Sequence, residues 1–243
     1  MTTVARARVL DTLGARARVT SVADGNLALH VGDDAEAVRA RRRALEARVG
    51  APVVFVSQVH SATVQVIDDE TDIAAFASAP PEADALVSAR SDIALAIMVA
   101  DCVPVLFSDP DAGIVGAAHA GRRGLLDGIL ERTVDQMRAL GAEAGRIRAY
   151  VGPSICGACY EVPALMQGES LAINPALRAR TSWNTPALDL KAGAAHALAR
   201  AGLSPQHIAV DAACTREDHT FYSYRRDPAC GRFAGVIRGA GPR

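Results

Sequence analysis

A chain of 243 residues, half of them apolar, has enough hydrophobic material to bury a sizeable core without help from disulfides. With 26 basic against 27 acidic side chains, it carries no global field to draw it to nucleic acid or an anionic membrane, so any anion it binds must be held locally. No stretch approaches the roughly 20 charge-free apolar residues of a membrane span. The opening MTTVARARVLDTLGARARV has no uninterrupted apolar core of the kind a secretory signal needs, and a soluble cytoplasmic protein is expected. Five cysteines, Cys102, Cys156, Cys159, Cys214 and Cys230, then read as thiols or ligands rather than a disulfide framework.

In chain order, the alanine-rich AEAVRARRRALEARVG (35–50) predicts a helix stopped by glycine. PVVFVSQVHSATVQVI (52–67) is rich in valine and predicts a pair of strands or one long bent strand, with Gln58 and His60 near its middle. DIALAIMVA (92–100) and VPVLFSD (103–109) follow as strands, separated by the Asp101-Cys102 step and by Pro104, which has no amide to give a central ladder. DPDAG (109–113) is a turn and GIVGAAHAG (113–121) another strand. RRGLLDGILERTVDQMRALG (122–141) predicts the clearest helix, with Leu126, Ile129, Leu130, Val134, Met137 and Leu140 at three- and four-residue steps. A second alanine-rich helix is expected at 188–202 and strands at 147–153, 207–213 and 232–238. No repeat or linker divides the chain, so residues 1–243 predict a single α/β or α+β domain with a mixed sheet.

His60, Cys102 and His119 each fall at or near the end of an apolar strand, beside a turn former. Strand ends are where a rigid ladder meets a loop with room for a ligand. Two imidazoles and a thiolate form a three-donor set suited to Zn²⁺, with a fourth position left for water or substrate. Their spacing matches no short zinc signature, and Cys102 as a small buried hydrophobe with two satisfied histidines explains the residues as well. A third reading makes Cys102 a nucleophile activated by His60 or His119. CGAC (156–159) has the form of a redox C-x-x-C but lacks a thioredoxin-like setting, and no second C-x-x-C completes a four-thiolate zinc site. Cys214 and Cys230 read as bystanders, and His196, His207 and His219 as structural or surface residues.

The segments GNLALHVGDD (25–34), SQVHSATVQVI (57–67), ADALVS (83–88), VADCVPVLFSD (99–109), GAAHAGRRGLLDGI (116–129), YVGPSICGACYEV (150–162) and FYSYRRDPACGRFAGVI (221–237) together resemble one family. It is described variously as multicopper polyphenol oxidase or laccase-like, purine nucleoside phosphorylase, and peptidoglycan editing factor. The matches run in the family's order from about residue 20 to about residue 238. The resemblance implies a layered α/β domain with mixed sheets flanked by helices, similar to the cysteine-hydrolase-like fold. It also implies one metal held by His60, Cys102 and His119, with Asp101 orienting a ligand or water.

The activity implied is zinc-dependent phosphorolysis of purine nucleosides, methylthioadenosine included, together with deamination of adenosine. Zinc acidifies water for attack on the purine ring. Phosphorolysis calls for fixed cationic donors, and Arg225, Arg226 and Arg232, with Ser223 as a hydroxyl, supply candidates. Asn26 and Gln58 are further candidate partners for ribose or base. The implied partners are purine nucleosides and phosphate. The alternative is hydrolysis of a mis-incorporated cell-wall precursor, using the metal or Cys102. Laccase chemistry is disfavoured, because a multicopper oxidase consumes many paired histidines and this chain has six His and no H-x-H; Cu²⁺ uptake in vitro, with incidental polyphenol oxidation, is compatible with the donor set. The chain departs from the family pattern at Arg122 after H-A-G, at Arg41-Arg42 in the first helix and at Cys156.

Overall fold

The longest apolar runs become strands buried on both faces. In the computed structural model, which describes residues 10–240, β5 (Ala94–Val99) sends Leu95, Ile97 and Val99 into one hydrophobic cluster and Ala94, Ala96 and Met98 into another, as the two-residue period of a strand requires. Each fully buried branched side chain among them is worth about 1.5–3 kcal/mol relative to exposure.

Two mixed sheets form the centre. The first orders β1 (Arg16–Val19), β12 (Phe233–Arg238), β5 and β2 (Val53–Val54). The second orders β11 (Ile208–Val210), β8 (Arg148–Val151), β6 (Val103–Asp109), β7 (Ile114–Ala120), β4 (Ala85–Ser88) and β3 (Val64–Val66). Their facing sides share Leu86, Leu95, Ile97, Leu106, Ala117, Tyr150 and Phe233. Helix α1 (Ala35–Val49) covers the outside of the four-stranded sheet through Leu45. The outside of the six-stranded sheet, including Val105, Phe107 and Ala118, packs on α4 (Ile129–Ala139) and α6 (Leu190–Arg200). The α/β expectation therefore holds, in the form of helix, sheet, sheet and helix layers.

Three local expectations change. The predicted helix over 122–141 is two: α3 (Arg122–Leu126) stops at Asp127, and Gly128, with φ +87° in the left-handed region, turns the chain into α4. The 52–67 segment is strand only at β2 and β3, with an irregular loop between them carrying Gln58 and His60. Side chains outbid the ladder there: Gln58 exchanges both amide groups with the backbone of Met98, at 2.7 and 2.8 Å, and Asp84 collects the loop's N–H groups. Pro104 lies in β6, a central strand after all, where its carbonyl accepts from Gly152 N at 2.8 Å and the pairing to β8 begins only at Val105. Elements with short or weakly patterned sequences, such as α2 (Ile73–Ser78), α5 (Ala164–Ile173) and the hairpin of β9 (Arg178–Arg180) and β10 (Pro186–Leu188), were not foreseen. Among the described residues no helix is long and apolar enough to cross a membrane.

Candidate metal centre

The start of β6 and the ends of β5 and β7 come together beside the 55–63 loop, and there Cys102, His119 and His60 converge. His119 is buried near the end of β7, opposite Pro104, and its backbone N donates to Asp84 O at 2.7 Å. The Asp84 carboxylate, fully buried, accepts from Nδ1 of His119 at 2.8 Å and from the backbone N of Val59, His60 and Ser61 at 3.2, 3.0 and 2.6 Å. One carboxylate thus fixes the ring of one histidine and folds the loop that carries the other. With Nδ1 engaged, Nε2 of His119 is left as its ligand nitrogen.

Cys102 is aimed by a similar device. Asp101 has φ +87° and His60 φ +60°, left-handed backbone that non-glycine residues adopt only when their surroundings hold them there. Asp101 is held by its carboxylate, which accepts from Thr215 Oγ1 and Arg225 N, both at 2.6 Å, and by its carbonyl, which accepts from Ile155 N at 3.0 Å. Gly121 closes the group by lacking a side chain: a Cβ there would lie 2.7 Å from His60 Cδ2 and 3.0 Å from Cys102 Sγ. The resulting cluster has Cys102 Sγ 3.7 Å from His60 Nε2, with the two imidazole centroids 4.6 Å apart at 76°. All three donor atoms lie within 4.8 Å of one another.

The electrostatics suit a cation. Burial opposes charge on Asp84, yet its hydrogen bonds from His119 and Ser61 hold its carboxyl down at about 2. Burial likewise opposes ionisation of Cys102, but the charge of His119 and hydrogen bonding to both His119 and His60 pull its thiol down to about 6. Against the same burial penalty, Cys102 and Asp84 lift His119 to about 9. Thiolate and imidazolium therefore favour one another across this pair. A soft sulfur, two imidazoles and a carboxylate behind one of them could hold a metal ion through three protein ligands.

The cluster opens on a cavity of about 380 Å³. His30, Gln58, Met98, Tyr160, Tyr224, Arg225 and Arg232 line it, together with Asp101 and the three donors. Arg225 Nη1 donates to Glu161 O at 2.8 Å with its guanidinium 5.0 Å from the Tyr160 ring, and Arg232 Nη1 donates to Cys230 O at 2.7 Å, so both cations are fixed at the wall.

The remaining expected site residues divide between the cavity wall and its supporting framework. Asp101 points its carboxylate at Thr215 and Arg225 rather than at a donor side chain of the cluster, which makes it a brace for the neighbouring loops. Asn26 is buried outside the cavity lining, bonded through its amide to Ala28, Asp33 and Arg232. Arg226 donates to the carbonyls of Thr215, Arg216 and Phe221, and the buried Ser223 Oγ accepts from Arg226 N; both serve the fold of the 215–227 loop. Gln58 lines the cavity with both amide atoms already paired to Met98. Asp84, His30, Tyr160 and Tyr224 were not singled out from the sequence. Asp84 had a signal, an acid inside the apolar ADALVS.

With this geometry in hand, the chain belongs to the family described as multi-copper polyphenol oxidoreductase laccase, whose pattern matches residues 14–239. A protein of Streptomyces coelicolor named purine nucleoside phosphorylase is 46% identical over 216 residues, covering 87% of this chain and 86% of the relative. A protein named adenosine deaminase, from an unidentified prokaryote, is 35% identical over 226 residues, covering 88% of this chain and 86% of the other. The crystal structure of YlmD from Geobacillus stearothermophilus shares the fold with a TM-score of 0.80 at 34% identity, covering 93% of this chain and 88% of that one.

Proposed function

We propose that this chain is a zinc-dependent purine nucleoside phosphorylase that also deaminates adenosine and accepts methylthioadenosine, working as one catalytic domain in the cytoplasm. The observation that carries the reading is the convergence of His60, Cys102 and His119 on a cavity walled by fixed arginines and tyrosines. The names of the relatives supply the substrate class. When bound by His60, Cys102 and His119, Zn²⁺ supplies Lewis acidity and brings the pKa of water into the neutral range.

The chain's own residues account for the rest. Tyr160 and Tyr224 offer aromatic faces and Met98 and Ile155 apolar surface, suited to a purine ring. Arg225 and Arg232 present guanidinium forks to phosphate, which attacks the anomeric carbon as the base departs, leaving ribose 1-phosphate. His30, kept below the usual imidazole range by burial and by the charges of Arg232 and Arg42, stays neutral and can accept or donate a single hydrogen bond to the sugar.

Incubation with adenosine should give adenine and ribose 1-phosphate only when phosphate is present, and inosine whether or not it is. His60→Ala that retains both activities would remove the cluster from the chemistry. A second reading, hydrolysis of a cell-wall precursor with Cys102 as nucleophile, draws support from the thiol lowered to about 6 beside His60 and His119. Activity in stoichiometrically metal-free protein would favour it.

A further inference from the structure

Between Ile155 and Tyr160, which line the cavity, the chain carries two thiols that belong to a second group of soft donors. Cys156 and Cys159 lie on one tight turn, in which the backbone N of Cys159 and of Tyr160 both donate to Cys156 O at 2.9 Å. Cys214 and Glu217 lie on another with the same spacing, where Glu217 N donates to Cys214 O at 3.1 Å. The two turns are locked side by side: Ser154 and Cys214 form a parallel bridge, and Thr215 N donates to Ser154 O at 3.1 Å. Cys156 N donates to Cys214 Sγ at 3.3 Å, and Cys159 Sγ lies 3.3 Å from Glu217 Oε1. All four donor atoms lie within 4.8 Å of one another.

We infer that Cys156, Cys159, Cys214 and Glu217 form a second, structural metal site for a thiophilic divalent cation of the zinc class. Four donors around zinc at about 2.3 Å stand about 3.8 Å apart in a tetrahedron, so the group needs only sub-ångström adjustment to close. No second C-x-x-C occurs in the sequence. The structure supplies its counterpart as C-x-x-E, the carboxylate standing where a fourth thiolate would. Three thiolates and a carboxylate are soft enough overall to prefer zinc over magnesium or calcium.

The surroundings fit a site of net negative charge. Lys191, the chain's single lysine, is 7% exposed and donates from Nζ to Asp211 O at 2.9 Å and to Ala213 O at 2.8 Å, directly before Cys214. A buried ammonium close to Cys214 and Cys156 offsets the charge that a tetrahedral Cys₃Glu site keeps after binding a dication. The site also has something to hold: the turns it would join carry Ile155 and Thr215, two of the groups that keep Asp101 in its left-handed conformation ahead of Cys102.

The test is metal stoichiometry by mass spectrometry on protein isolated with zinc and dialysed. Wild type should hold about two equivalents, and Cys159→Ser and Cys214→Ser about one each. His60→Ala should also hold about one; a single equivalent in wild type that His60→Ala keeps and Cys214→Ser loses would fault the first cluster alone. If the cysteine variants fail to fold, cobalt replaces zinc in otherwise wild-type protein carrying His60→Ala. Strong thiolate-to-cobalt charge-transfer absorption should then persist, weakened in intensity or shifted by Glu217→Gln. A single equivalent in wild type that His60→Ala removes, absence of cobalt–thiolate absorption in His60→Ala, or recovery of Cys156 and Cys159 as a disulfide in freshly isolated protein would each overturn the inference.

Discussion

The His60, Cys102, His119 group and the Cys156, Cys159, Cys214, Glu217 group are built on opposite plans. The first draws each donor from a different segment, two of them from strand ends of rigid sheets, and presents three donors to a cavity. The second takes its donors two by two from adjacent turns and supplies all four itself. Zinc sites that do chemistry keep a position for water or substrate, whereas structural ones are closed by protein. Assembling a site from distant strands costs sequence legibility but yields an open face at the edge of a stiff scaffold. Assembling one from local turns yields a clamp. Their supports differ accordingly: a buried carboxylate, Asp84, orders the open group, while backbone turns order the closed one.

The largest effect expected from this difference is on turnover. Cys102→Ala should lower kcat/KM for both adenosine reactions by on the order of 10³-fold, about 4 kcal/mol of transition-state stabilisation, because it removes the thiolate from the open group. The steady-state comparison is with Cys214→Ser, which keeps all three donors of that group. If Cys102→Ala stays within about tenfold of wild type, the division into a working site and a clamp fails. A smaller effect follows at Asp84. Asp84→Asn keeps an acceptor for the loop amides but loses the charge behind His119, and metal affinity of the open group should fall about 10–100-fold in a chelator-competition titration. The closed group should keep its affinity in the same variant.

The same contrast explains what the sequence made visible. The layered sheets were legible because their strands are apolar on both faces, and an apolar run such as 92–100 admits few other fates. His60, Cys102 and His119 stood out as polar residues set against that background. Their supports did not. Asp84 acts through backbone amides of residues 59–61, which no side-chain pattern records, and the same capture turned an expected strand into a loop. The arginines at 225 and 226 are adjacent in sequence, yet one lines the cavity and the other ties up three carbonyls. Which does which depends on the turn of the 215–227 loop, decided by Asp101 more than a hundred residues away. Gly128 shows the local limit: its helix period continues through 122–141 while a left-handed residue breaks the axis.

The finest distinction lies in the thiols after metal removal. Cys102, lowered to about 6, then favours the thiolate at pH 7. Burial and the neighbouring Glu217, Cys156 and Cys214 push Cys159 far above the ordinary thiol range, keeping it protonated. Since the thiolate is the nucleophile, iodoacetamide should modify Cys102 in chelator-treated protein at a rate that rises through about pH 6 and levels by about pH 7, while the rate at Cys159 is still climbing at pH 9. Burial alone would slow Cys159 at every pH, so the shape of the profile, followed by peptide mass spectrometry, is the readout rather than the rate. Zinc should protect both residues. A Cys102 profile that climbs only above about pH 8, like a free thiol, would mean that His119 does not stand charged beside it. The open group would then lack the thiolate–imidazolium pair on which the nucleophilic alternative depends.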